Sequence, residues 1–165
     1  MLLILTLMVF INASQFNRPN DRIRIGEPRL REEIDKLFSE NNKISIYPRT
    51  RLIEIKQGHT DRFGIGIKNV LVNSTKDKEF SYIVSVYESE LKKKCGIDGK
   101  TAEDWIVSGK SEKEIPIPFE DIFTQKIVFE IPLGSPLCTI RYRVNVTEDG
   151  TNYATDFVDV KIISQ

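Results

Sequence analysis

The sequence predicts an all-β, antiparallel sandwich of about seven strands, preceded by an apolar N-terminal segment and one short amphipathic helix. Three observations carry the prediction. From Lys43 onward apolar residues recur with a period of two, the mark of strands with one buried and one wet face. Clusters of Gly, Pro, Asn and Asp separate one alternating stretch from the next. No helical segment alternates with the strands, which disfavours a parallel α/β sheet.

The pattern is clearest from Cys138 to Ile163. Cys138, Ile140, Tyr142, Val144 and Val146 fall on one side, and Thr139, Arg141, Arg143, Asn145 and Thr147 on the other. Glu148-Asp149-Gly150-Thr151-Asn152 is turn chemistry, and the chain returns through Val158, Val160 and Ile162 with Asp159 and Lys161 facing out. This is a β-hairpin, read here as scaffold and not as chemistry.

At the N-terminus, Met1 to Ile11 is apolar apart from Thr6. A spanning helix needs roughly 20 apolar residues, so the run suits the core of a signal peptide, with small residues at Ala13 and Ser14 for cleavage. No Lys or Arg precedes it. The alternative is a buried N-terminal strand. The expected organisation is a signal peptide or membrane anchor over 1–14, a linker and short helix over 15–42, and the sandwich domain over 43–165. Within the middle part, Glu27 to Asn41 has helical spacing: Leu30, Ile34, Leu37 and Phe38 form one apolar stripe, and Pro28 suits the first turn. Such a helix either lies against the end of the β domain or serves as a stalk.

The strands follow in order. Lys43 to Pro48 is stopped by its proline. Arg51 to Lys56 places Ile53 and Ile55 on one side, and Gln57 to Asp61 turns the chain. Arg62 to Val70 carries Phe63, Ile65 and Ile67 inward, with Gly64 and Gly66 leaving the outer face bare. Phe80, Tyr82, Val84 and Val86 line a strand read as running on to Cys95, and Ile127, Phe129 and Ile131 line another. Cys95 to Phe123 reads as the longest irregular stretch, with a helical turn at Thr101 to Ile106 and an extended segment enforced by Pro116 and Pro118. Trp105 in that stretch is either a lid on the core or a contact residue.

Composition narrows the function classes. The chain has 165 residues, 40% of them hydrophobic, enough for one good core. Lys plus Arg and Asp plus Glu both total 24, a balance that argues against a nucleic-acid footprint. In an exported chain two cysteines predict one bridge, Cys95 to Cys138, worth roughly 4 kcal/mol in the chain-entropy model. Two cysteines with one histidine make a poor metal site, and no cofactor motif is present. Asn-x-Ser/Thr triplets occur at Asn12, Asn73 and Asn145; Asn73 lies in a polar turn and Asn145 faces out from a strand, so both are candidate glycosylation sites. Any Ser-His or Cys-His machinery would have to use His59, which sits in the Gln57 to Asp61 turn. Glu103 and Asp104 are the nearest approach to a carboxylate pair, and adjacent acids on a short helix point apart. No catalytic residue is assigned, and an enzyme is not expected.

Two stretches carry a family resemblance. Arg51 to Asn69, RLIEIKQGHTDRFGIGIKN, resembles the opening of archaeal and bacterial extracellular immunoglobulin-like domains of the cell-adhesion-related kind: a strand, a Gly turn, and a second strand ending in Asn. Ile131 to Val146, IPLGSPLCTIRYRVNV, is similar to their later element, with Cys138 where Gly is usual. An apolar leader joined to such a domain also looks like archaeal surface proteins, including pilin-like ones, although the charged cleavage motif of archaeal pilins is absent from the sequence. The resemblance implies an immunoglobulin-like sandwich acting as a non-catalytic structural or adhesive module. It would be extracellular or cell-surface, with other surface proteins or copies of itself as partners and the membrane engaged through the N-terminal segment if uncleaved. It hands over no functional residues. The expected alternatives are a pilin-like filament subunit and an exported carbohydrate-binding domain, for which Trp105 is the candidate contact.

Overall fold

The chain alternates between two sheets. The computed structural model describes residues 27–38, 42–71, 78–87 and 91–165. Among them lie nine strands: β1 (Ile44–Tyr47), β2 (Leu52–Lys56), β3 (Thr60–Lys68), β4 (Lys78–Val86), β5 (Ile106–Ser108), β6 (Ser111–Ile117), β7 (Ile122–Glu130), β8 (Thr139–Glu148) and β9 (Thr151–Ile163). Three short helices accompany them: α1 (Glu27–Asp35), α2 (Leu91–Cys95) and α3 (Gly99–Asp104). One sheet has the order β1-β3-β7-β5 and the other β2-β9-β8-β4-β6, so successive strands change sheet every time until the closing β8–β9 hairpin. This is an immunoglobulin-like β-sandwich, as the sequence predicts.

Four features differ from the sequence expectation. The strand beginning at Phe80 ends at Val86; Cys95 instead closes α2, because Lys92, Lys93 and Lys94 carry no alternation that a sheet could use. The stretch expected to be irregular contains β5 and β6, and β6 completes the five-stranded sheet beside β4. Its signal was weak because four exposed residues precede the buried pair Ile115 and Ile117. The sandwich is not wholly antiparallel, since β2 pairs with β9 in parallel, Leu52 opposite Asp159 through Lys56 opposite Ile163. Finally, Gly64 and Gly66 do not leave a bare face.

That last difference has a steric cause. Both glycines are buried, and a Cβ built on Gly66 would stand 2.3 Å from Ile34 Cγ2 and 2.7 Å from the Phe38 ring. The stretch from Ile34, in the last turn of α1, to Phe38 therefore lies on the outer face of β3, where the missing side chain makes room for it, and Ile34 is fully buried there. The compact unit that holds the sheets begins at Arg31 and runs to Gln165.

The hairpin shows how local chemistry and side-chain parity are reconciled. Asp149 and Gly150 both have positive φ (47° and 77°), as a two-residue hairpin turn requires. Such a turn sets Glu148 opposite Thr151, a register that would place the inward residues of β8 against outward residues of β9. A bulge repairs this. Thr147 faces Asn152 but Val146 faces Ala154, leaving Tyr153 as the extra residue; beyond it Tyr142 faces Val158 and Ile140 faces Val160, inward against inward. Tyr153 is re-aimed into the sandwich, edge-on to Phe80 at 4.9 Å between centroids. Its hydroxyl donates to the Lys68 carbonyl (2.7 Å) and accepts from the Val70 amide (3.1 Å), tying the hairpin to the end of β3.

Between the sheets the core is aromatic at its centre. Phe129 stacks on Phe63 and meets Tyr142 edge-on, and the Tyr142 hydroxyl donates to the Ala102 carbonyl at 2.8 Å, which anchors α3. Asp98 caps α3 by accepting from the Thr101 amide, and that hydrogen bond lowers the pKa of its carboxyl. Asn69, buried just past β3, donates to the Ile117 carbonyl (2.8 Å) and accepts from the Leu71 amide (3.0 Å), fastening the β3 end to β6.

Candidate functional site

The outer face of the five-stranded sheet carries the most chemically diverse cluster among the described residues. Parity dictates its membership: Thr139, Arg141, Arg143 and Asn145 on β8 lie directly opposite Lys161, Asp159, Phe157 and Thr155 on β9, all pointing away from the core. Tyr87, just after β4, joins the row beside Arg141 because its amide donates to the Arg141 carbonyl.

Arg141 and Asp159 form a bidentate pair, Nε to Oδ1 at 2.7 Å and Nη2 to Oδ2 at 2.8 Å. The hydrogen bonds that Arg141 donates to the Asp159 carboxylate raise the pKa of its guanidinium. It lies 5.9 Å from the Phe157 ring centroid, within cation–π range, and Tyr87 meets the same ring edge-on at 5.8 Å. A second pair sits beside it: Arg51 Nη2 is 2.8 Å from Asp156 Oδ2, while Asp156 Oδ1 accepts from the Phe157 amide. Two open grooves flank Arg141 and Asp159. One, of about 390 Å³, is bounded by Tyr87, Leu91 and Thr139; the other, of about 320 Å³, by Thr50, Arg51, Asp156 and Phe157.

The sequence-predicted sites fall elsewhere. Cys95 and Cys138 are bonded, their Cα atoms 5.6 Å apart; Cys138 lies one residue before β8 and packs, partly buried, against the core on the inward side that its alternation predicts. Asn145 does face out, half-buried at the centre of the sheet, where its Oδ1 accepts from the Thr155 hydroxyl. Asn73, Asn12 and the Met1–Ile11 run lie outside the described residues. His59 is exposed in its turn. Glu103 accepts from the Val86 amide and pairs with Lys110 at 2.8 Å, while Asp104 is exposed, so the two acids share no site. Trp105 is only 6% exposed and its carbonyl accepts from the Glu130 amide; it closes the core, which removes it as a sugar contact. Among the described residues no cluster of His, Cys, Asp and Glu is suited to a metal ion, and no helix is long and apolar enough to cross a membrane.

Reading the hairpin as scaffold missed Arg141, Asp159 and Phe157. Their outward parity was visible. The bulge that sets Arg141 opposite Asp159, and the arrival of Tyr87 from a strand far away in sequence, were not.

No protein-family model matches the chain, and no curated protein matches it. Among solved structures it is similar to a family 123 glycoside hydrolase from Clostridium perfringens, at 13% identity and a TM-score of 0.47, covering 82% of this chain and 26% of that one. The chain thus spans about a quarter of that enzyme's length. It is also similar to the ASH/PapD-like domain 7 of human CEP192, at 14% identity and a TM-score of 0.38, covering 78% of this chain and 93% of that one. A third likeness is to self-complemented MyfA, the major subunit of Myf fimbriae from Yersinia enterocolitica, at 10% identity and a TM-score of 0.34, covering 78% and 100%. Identities and scores at this level assign no function.

Proposed function

We propose that this chain is a non-catalytic surface domain, secreted or membrane-tethered, with a structural or adhesive role of the kind found in extracellular cell-adhesion-related immunoglobulin-like domains. The observation that carries the reading is the Cys95–Cys138 bridge, which joins α2 to the start of β8 and belongs to oxidising compartments. The pairing of Glu103 with Lys110, which leaves it sharing no site with the exposed Asp104, supports a non-catalytic role. The module acts by holding a contact surface rigid: the sandwich fixes the outer sheet face, and the edge strands β2 and β6 offer backbone groups to a partner strand. Its partners are other surface proteins or copies of itself, and the membrane is engaged through residues 1–14 if these are retained.

The test is the intact mass of the native protein from its own cells, with and without reductant. A chain starting near Ser14 and two hydrogens short until reduced supports export, and added hexose mass places glycan at Asn73 or Asn145. A full-length chain with both thiols free overturns the surface-domain reading.

A further inference from the structure

We infer that the paired grooves around Arg141 and Asp159 bind a neutral, hydroxyl-rich ligand, a pyranose unit of a glycan. This goes beyond the surface-domain reading, which specifies no ligand.

Charge is the first argument. The trough is rich in ionised groups, and its two central pairs are internally compensated, Arg141 by both oxygens of Asp159 and Arg51 by Asp156, with Lys94 also lining the larger groove. Within each pair the charges already cancel, so a ligand anion or cation gains a strong attraction only by displacing the carboxylate or the guanidinium from its partner. A neutral polyol displaces neither. Each carboxylate oxygen keeps a second lone pair, and each guanidinium keeps N–H groups beyond those already used. Vicinal hydroxyls, which both donate and accept, complement such an array.

The second argument is the aromatic wall. Tyr87 is 46% exposed and stands edge-on to Phe157, so one phenol ring borders the same groove as the ion pair. A pyranose has an apolar C–H face beside its hydroxyl rim and needs such a combination. The other outer-face pair, Lys161 with Glu54 at 2.7 Å, lines neither groove. An ordinary solvated ladder looks like that pair.

Rigidity is the third. Arg141, Asp159 and Phe157 hang on β8 and β9, neighbours in a five-stranded sheet, and the Cys95–Cys138 bridge secures α2 beside the groove that Leu91 borders. Little ordering is needed on binding, which matters for a ligand with few contacts. Volumes of about 390 and 320 Å³ fall in the range of small-molecule sites.

The experiment applies the full-length, disulfide-intact chain to an array of immobilised neutral and anionic oligosaccharides, then titrates the strongest neutral binder in solution. Binding is expected to weaken by about tenfold or more in Tyr87→Ala, to persist in Tyr87→Phe, and to fall at least as far in Asp159→Asn. Ile83→Ala, exposed on the same sheet face but outside both grooves, should bind as the wild type does. Each variant is compared only if its unfolding transition matches wild type. Should Asp159→Asn fail that control, the Tyr87 pair decides alone. No neutral glycan bound by the wild type, equal binding by Tyr87→Ala, or binding confined to anionic glycans each overturns the proposal. The array reads a purified protein, so its failure leaves the export reading to the mass measurement.

Discussion

Replacing Gly66 with alanine separates two pictures of the four-stranded sheet by the sign of one number. Gly66 is mid-strand in β3, opposite Ser45 on one side and Thr124 on the other, and its φ is not positive. An uncovered strand glycine at such a site is a weakness: alanine lowers the entropy of the unfolded chain and stabilises by about 0.4–1 kcal/mol. Here the new methyl would stand 2.3 Å from Ile34 Cγ2, which belongs to a stiff, β-branched, fully buried side chain. Overpacking of this kind costs about 1–3 kcal/mol. The net expectation is a destabilisation of roughly 1–2 kcal/mol, the difference between those terms. Urea unfolding followed by circular dichroism measures it. Ile34→Ala supplies the control. Alone it creates a cavity costing about 2–5 kcal/mol, but combined with Gly66→Ala it removes the nearer of the two clashing groups and leaves the Phe38 ring room to shift, so the double variant should be more stable than the sum of the two by about 1 kcal/mol. A stabilised Gly66→Ala, or additive variants, would refute the placement of this segment over β3.

Four further outcomes follow from the same contacts. Reduction of Cys95–Cys138, which are separated by 43 residues in sequence, should lower unfolding free energy by roughly 4 kcal/mol, read from urea midpoints with and without reductant. Tyr153→Phe keeps the ring against Phe80 but strands the Lys68 carbonyl and Val70 amide, at a cost of about 1–3 kcal/mol in the same assay. Asn69→Ala deprives the Ile117 carbonyl and the Leu71 amide of their partner and should cost about 2–4 kcal/mol; a loss under 0.5 kcal/mol would mean that water replaces the side chain without penalty. Burial raises the pKa of Tyr82, Tyr142 and Tyr153 above that of free tyrosine. Their folded pKa exceeds the unfolded one, so the stability they contribute is complete below about pH 10 and declines as pH rises above it. Tyrosinate absorbance at these rings should therefore appear only together with unfolding.

Much of the architecture was legible because strands write parity into sequence. Ile53 and Ile55, Phe63, Ile65 and Ile67, and Ile140, Tyr142, Val144 and Val146 of β8 are buried as their alternation says. The bonded cysteines could be paired by count. What was not legible had specific causes. β6 hides behind four exposed residues. Gly66 was ambiguous, since a missing side chain signals either an empty face or a close neighbour, and only the neighbour distinguishes them. Trp105 sits in a loop by sequence and in the core by contact.

The candidate site divides the same way. That Arg141, Asp159 and Phe157 face outward was determined by the sequence alone, through a period of two that any strand obeys. Which residues meet was decided by tertiary structure. Among the nine strands, only β8 and β9 are neighbours both in the chain and in a sheet, so every other pairing joins segments that local chemistry cannot match. Even within that hairpin the Asp149-Gly150 turn dictates a register that the core overrules. Burying both apolar rows outweighs an unbroken ladder, and the Tyr153 bulge is the result. Turn chemistry acts over four residues and burial over the whole sandwich, which is why the ion pair of the candidate site exists only in the folded chain.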